Sequence, residues 1–168
     1  MDSLARYDDI EQYQRRDSVR VFGIKESKKE NTDSLVINFF NNHLGVKVPI
    51  DAILRSHRVG RPREKGSRPI IVKFISYLCR NKVFSQKKRL KGTLFSIKED
   101  LTARRYALFK SAVDRCGLNN VWTTDGRVMV ADNGERRQIK DVSELPPPPP
   151  TSDTEEKEDQ RDTAAKSK

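Results

Sequence analysis

Apolar residues return at two different spacings along this chain, and each change of spacing marks a new element. In SVRVFGI, Ser18 to Ile24, Val19 and Val21 fall on one side and Arg20 and Phe22 on the other, the period of a strand buried on one face. TDSLVINFFNNHLG repeats at three and four instead. Leu35, Val36, Phe39, Phe40 and Leu44 make one helical face, Asn31 or Thr32 supplies the N-cap, and Gly45 the stop. A second strand is expected over AILRSHRVG, Ala52 to Gly60, followed by the Gly/Pro/Lys-rich loop GRPREKGSRP. In PIIVKFIS, Ile70, Val72 and Phe74 oppose Ile71 and Lys73, which predicts a third strand. YLCRNKVFSQKKRLKG predicts a basic helix with Cys79, Val83 and Leu90 inward and Gly92 at its end. TLFSIKEDL predicts a fourth strand with Phe95 and Ile97 inward.

Strand, helix, strand, strand, helix, strand over about 80 residues is the ferredoxin-like split βαβ pattern. The expected class is therefore α+β: a four-stranded antiparallel sheet over residues 17–100, with two helices on one face and the other free for a ligand. A smaller domain over 101–145 follows. TARRYALFKSAVDRCG reads as a helix carrying Leu101, Ala107, Leu108, Ala112 and Val113. The next segment reads as a three-strand meander with turns at Asp125-Gly126 and Asn133-Gly134. A unit this small is marginal alone and is expected to dock on the first.

Both ends differ from this pattern. Residues 1–16 repeat Leu4, Tyr7, Ile10 and Tyr13 every three positions, a helical leader that is either the end of a coiled coil or a frayed segment. Residues 146–168 begin with five prolines and continue as TSDTEEKEDQRDTAAKSK, read as a polyproline spacer and a disordered tail. The proline run would also suit a proline-binding domain of a partner.

Charge changes the picture more than composition does. Hydrophobic and charged residues each make up 35% of the chain, and the net charge of +10 is not spread evenly. Residues 54–92 hold 13 Lys and Arg against one acid, whereas residues 1–53 are net −1. Such a concentrated field attracts polyanions, because each neutralised phosphate releases condensed counterions. Nucleic acid is the partner class it favours.

Enzyme chemistry finds little support. His43 and His57 are the only histidines, and there is no glycine-rich phosphate loop and no His/Glu metal spacing. Glu99 and Asp100 are adjacent, so on a strand they take opposite faces and make no carboxylate pair. Cys79 and Cys116, 37 residues apart, offer neither a disulfide framework nor a zinc set. No enzyme activity, metal or cofactor is expected, and no leader or membrane-spanning run is read from the sequence.

RNA-recognition motifs carry stacking aromatics on their two central strands. SRPIIVKF has none at either stacking position, and on the first strand that position falls on Arg20, with Phe22 two residues along. Binding on this face would rest on phosphate contacts and arginine stacking, salt-dependent and weakly sequence-selective. Arg20 has a second reading, a surface arginine lying across the sheet toward Asp17 or the second domain. His57, among Arg55, Arg58 and Arg61, is either a neutral group that contacts RNA or an idle histidine. KKRLK, Lys87 to Lys91, fits both a nuclear-import signal and a phosphate-binding helix.

Taken in order, RRDSVRVFGIKE, SHRVGRPREKGSRPIIVKF, KGTLFSIKEDLT and VWTTDGRVMVADNGE resemble the first-open-reading-frame proteins of LINE-type non-LTR retrotransposons, from about Glu11 to Leu145. The resemblance implies a trimerising coiled coil, an atypical RNA-recognition motif and a small C-terminal domain that together hold single-stranded nucleic acid. It implies RNA packaging into a ribonucleoprotein and nucleic-acid chaperone activity, in the cytoplasm or the nucleus. It assigns RNA contacts to Arg15, Arg16, Arg20, Arg55, Arg58, Arg61 and the Thr123–Met129 loop with Arg127. Only about two heptads precede Arg15, a departure that fits either a copy truncated at the coiled coil or a host gene derived from such an element, and the N-terminal helix is the candidate segment for self-association.

The combined expectation is a single-stranded RNA or DNA binder. Arg55, Arg58, Arg61, Arg63, Lys65, Lys73, Lys87 and Lys88 would contact phosphate. Arg20 and Phe22 would contact bases, and Arg127 would close the site from the second domain. The rival is a protein-interaction adaptor that uses the sheet and the proline run.

Overall fold

The computed structural model describes residues 2–150. The tail expected to be disordered, 151–168, lies outside them. The order of elements is α1 (Ser3–Gln14), β1 (Ser18–Phe22), α2 (Thr32–Phe39), β2 (Ile53–Arg58), β3 (Ile70–Phe74), α3 (Tyr77–Phe84) and β4 (Ser96–Glu99), then α4 (Ala103–Cys116), β5 (Val121–Thr124), β6 (Arg127–Asp132) and β7 (Glu135–Ile139). The protein is thus mixed α and β, with a four-stranded and a three-stranded antiparallel sheet and four α-helices among the described residues.

The first sheet runs β2-β3-β1-β4, every neighbour antiparallel. Alternation decides its two faces. Val19, Val21, Ile70, Val72 and Phe74 are at most 1% exposed, packed with Val36, Phe39, Phe40 and Leu44 of the α2 segment and Val83 of α3. Each such side chain contributes about 1.5–3 kcal/mol by leaving water. Arg20, Phe22, Ile71 and Lys73 occupy the other face and are only half-buried. A one-residue register shift lies between Ile53 and Arg55, so Ile53 pairs with Phe74 of the core set but Arg55 with Lys73 of the open set. The extra residue, Leu54, is left exposed.

Both helices of this unit depart from the simple expectation. Asn31 caps α2 through its side chain, as the sequence suggests, but the α-helix ends at Phe39 and a π-turn, Phe40–Leu44, carries the chain to Gly45. Gly45 is left-handed, at φ 66°. The basic helix expected to run to Gly92 stops at Phe84, and a separate 3-10 turn, Lys87–Leu90, brings Leu90 into the core. Ser85 Oγ donates to the Lys82 carbonyl, a local bond that competes with continued helix. Arg89 turns away to donate to the Leu44 carbonyl at the end of the α2 segment.

The second cluster is Leu108, Ala112, Val121, Val128, Val130, Ile139 and Leu145, with α4 lying on the sheet β5-β6-β7. Asp125-Gly126 and Asn133-Gly134 turn its hairpins with positive φ at all four residues. Leu108, Ala112 and Val113 face the sheet, joined by Phe109, whereas Ala107, also expected inside, is exposed, and Leu101 lies before the cap at Thr102 and outside the helix. Glu99 joins the two units. It is 6% exposed, accepts from the amides of Asp125 and Gly126, and lies 3.7 Å from Arg80. Tyr77 Oη adds a 2.5 Å bond to Asp125.

The leader α1 docks by the side opposite to its apolar stripe. Leu4, Tyr7, Ile10 and Tyr13 are between 57% and 72% exposed, and Gln12 is the buried residue of the helix. Its seam is polar: Asp8 to Thr102 and Arg105, Asp9 to Arg105, Gln12 to the Asp100 carbonyl and the Thr102 amide, and Arg15 to Asp100.

Candidate nucleic-acid interface

The end of α1 stands beside the open face of the first sheet, and together they enclose a pocket of about 320 Å³. Ile71 is its apolar element, Arg15, Arg55, Lys73 and His57 bring nitrogen, and Glu11 and Asp100 oppose them. Arg55 and Lys73 are cross-strand partners, so the bulge that turns Arg55 outward creates this pair of cations. Neither has a hydrogen-bonded or ionic partner among the described residues. Arg15 is engaged with Glu11 at 2.7 Å and Asp100 at 3.0 Å. Burial disfavours its charge, but Asp100 and Glu11 outweigh that and leave the guanidinium more basic than usual.

Arg20 lies on the same face, opposite Ile71 on one side and Lys98 on the other. Its Nε donates to Asp100 Oδ1 at 2.9 Å, so it crosses the sheet toward the residue after β4 and not toward Asp17. Phe22 is half-buried, with the Lys98 ammonium 5.1 Å from its ring centre. Among the described residues it is the one phenyl ring on this face. Arg61, Arg63 and Lys65 are exposed on the loop joining β2 to β3, with no ionic partner among the described residues.

Arg58 is a correction. It falls on the helix side of β2, 5% exposed, with Nε 2.9 Å from Glu30 and both terminal nitrogens bonded to Glu30 or to the carbonyls of Ile24, Lys25 and Arg68. A guanidinium with its donors spent in this way has none for phosphate. Arg58 also holds the Glu30 carboxyl below its ordinary value of 4.5. Arg68 does the same for Glu26, and its NH1 donates to the Gly60 carbonyl.

Other expected residues lie apart from the pocket. Arg16 stacks on Tyr13 at 3.8 Å and donates to the Tyr13 carbonyl. Lys87 and Lys88 follow α3, on the helix side of the sheet, and Lys87 lines a groove of about 570 Å³ against Trp122 and Asp125. Desolvation there, aided by Arg80 and Lys88, holds the Lys87 ammonium below the usual lysine value. Arg127 lines a third recess with Asp8, Asp9 and Arg105, so it does not close the sheet-face pocket.

Two participants escape the sequence reading. Lys98 is exposed on the open face, and strand parity alone would have found it, since Ile97 points inward. Asp100 is 3% exposed, and its place between Arg15 and Arg20 depends on contacts 80 and more residues apart in sequence. No local pattern announces it.

No family model and no curated protein matches the chain. Among the described residues, no helix is long and apolar enough to cross a membrane.

Proposed function

We propose that the chain binds single-stranded RNA or DNA, with little sequence preference, across the open face of its four-stranded sheet. The observation that carries this reading is the pairing of Arg55 with Lys73 on that face, beside Arg15 and within one loop of Arg61, Arg63 and Lys65. Two cations on the face and three on the adjoining loop, all without an ionic partner among the described residues, attract a phosphate backbone, while Arg20, Phe22 and Lys98 lie where bases would meet the sheet. The strand order β2-β3-β1-β4 supports reading this unit as ferredoxin-like and related to RNA-recognition motifs, with residues 101–145 as a docked second domain. An origin in LINE-type retrotransposons, with non-enzymatic RNA packaging and chaperoning in a ribonucleoprotein, is the biological form of the proposal.

The test is a salt series of oligonucleotide binding by the full chain. Arg55→Glu combined with Lys73→Glu should weaken every single-stranded sequence about equally, by tenfold or more at low salt, and flatten the log-log salt slope by about 1.4. Unchanged affinity in the double variant removes this face as the site. No binding by the wild type at low salt ends the reading and favours the adaptor. That rival has exposed Pro147 to Pro150 in its support.

A further inference from the structure

The open face contains its own anion. Asp100 Oδ1 receives Arg15 NH1 at 3.0 Å and Arg20 Nε at 2.9 Å, from two different elements, and Asp100 itself is 3% exposed. This is the geometry that a phosphate oxygen between two guanidinium groups would adopt. Both arginines are about 30% exposed and border the surface that the functional reading assigns to the ligand.

We propose that Asp100 is an intramolecular stand-in for phosphate, and that binding of a single strand draws Arg15 and Arg20 off it and frees the last turn of α1. The inference rests on the proposed function and adds its regulation. Its first ground is competition: Asp100 holds Arg20 by Nε and Arg15 by NH1, and Glu11 takes Arg15 NH2, so a phosphate that engages these donors displaces existing bonds and leaves a buried carboxylate behind. That cost is subtracted from the binding energy, so the Asp100 charge lowers the affinity of the site. The second ground is how α1 is held. Its only buried residue is Gln12, its apolar stripe faces outward, and a 12-residue helix is not stable alone. Side-chain hydrogen bonds and ion pairs to Asp100, Thr102 and Arg105 fasten it, and Arg15 makes the one of these that borders the pocket. Release of Arg15 leaves Asp8 and Asp9 holding the earlier turns and Gln12 as the one remaining anchor of the last, so the predicted loosening is local.

Asp100→Asn separates this idea from a structural role. It keeps the side-chain size and leaves the backbone carbonyl that Gln12 uses. With an oligo-dT single strand as probe, the variant should bind about five- to tenfold more tightly than wild type at fixed low salt, with a salt slope steeper by up to about 1.4 for two released arginines. Amide hydrogen exchange over residues 11–15 should speed up in the free variant, and the oligonucleotide should produce the same acceleration in wild type. Arg15→Gln serves as the control for loosening: exchange rises there too, but affinity falls. A wild type that binds, together with an Asp100→Asn variant that binds equally or more weakly, overturns the proposal. Ligand-bound wild type with unchanged or slower exchange over 11–15 also overturns it. Failure of the functional reading looks different, since the wild type then binds nothing at low salt.

Discussion

Arg55 and Arg58 stand three residues apart on one strand and serve opposite ends. Arg55 is exposed, faces the open side and has no partner among the described residues. The side chain of Arg58 is buried on the helix side, doubly bonded to Glu30 and tied to three carbonyls of neighbouring segments. The contrast extends through the basic segment: Arg68 is bonded to Glu26, Arg80 lies beside Glu99, and Arg89 caps the α2 segment at Leu44. Arg61, Arg63, Lys65 and Lys73 resemble Arg55 in having no ionic partner among the described residues. Charge counted along the chain therefore overstates charge available to a ligand, because the fold consumes part of it.

The sharpest way to break this comparison is to remove each member. Arg58→Ala takes the guanidinium from a Glu30 side chain that is 9% exposed and leaves it only the Ser27 amide, which should cost about 3 kcal/mol and lower the melting temperature by roughly 10 °C. Arg55→Ala should stay within about 0.5 kcal/mol of wild type in stability and show its effect in oligonucleotide binding alone. Thermal melts and binding isotherms on both variants decide the matter. If Arg58→Ala melts like wild type and loses binding, the two arginines share a role and the division fails.

The same ion pairs predict how stability follows pH. Hydrogen bonds from Arg58 and Arg68 hold Glu30 and Glu26 below the ordinary value of 4.5 when folded. A depressed carboxylate contributes stability that is fully present above its unfolded value and is lost as pH falls through the folded one. Stability should therefore decline below about pH 4.5. Glu30→Gln should lower stability near neutrality and make the acid decline shallower. A Glu30→Gln variant with the wild-type acid limb, followed by denaturant midpoints from pH 3 to pH 7, would show that the pair does not set it.

How much of this was legible in the sequence depends on the range of the interaction involved. Val19/Arg20/Val21 alternation fixes both faces of β1, and Asp125-Gly126 and Asn133-Gly134 mark their turns, because these signals are local. The bulge at Leu54 is local too, yet nothing in AILRSHRVG says which residue is extra, and that one residue decides whether Arg55 faces the open side or the core. Pairings such as Arg58 with Glu30, 28 residues distant, and Arg20 with Asp100, 80 residues distant, arise only when the chain is folded. The candidate surface was thus readable as a basic segment but not as a chosen subset of its charges. The apolar stripe of α1 misleads in the other direction: it predicts the helix correctly and identifies the side that does not dock.

The smallest effect separates the two faces of the sheet. Lys98 on β4 shares the open face with Arg20 and Phe22, whereas Lys88 follows α3 on the helix side. Both are exposed single charges, so truncating either should leave stability within about 0.5 kcal/mol of wild type. If phosphates track across the open face, Lys98→Ala should remove one contact, with a few-fold loss of affinity and a salt slope shallower by about 0.7. Lys88→Ala should leave the slope where it was. Equal slopes in the two variants would mean that the long-range field of the whole basic segment governs binding and not the face. A larger loss at Lys88 would move the ligand to the helix side, toward the groove that Lys87 and Trp122 line.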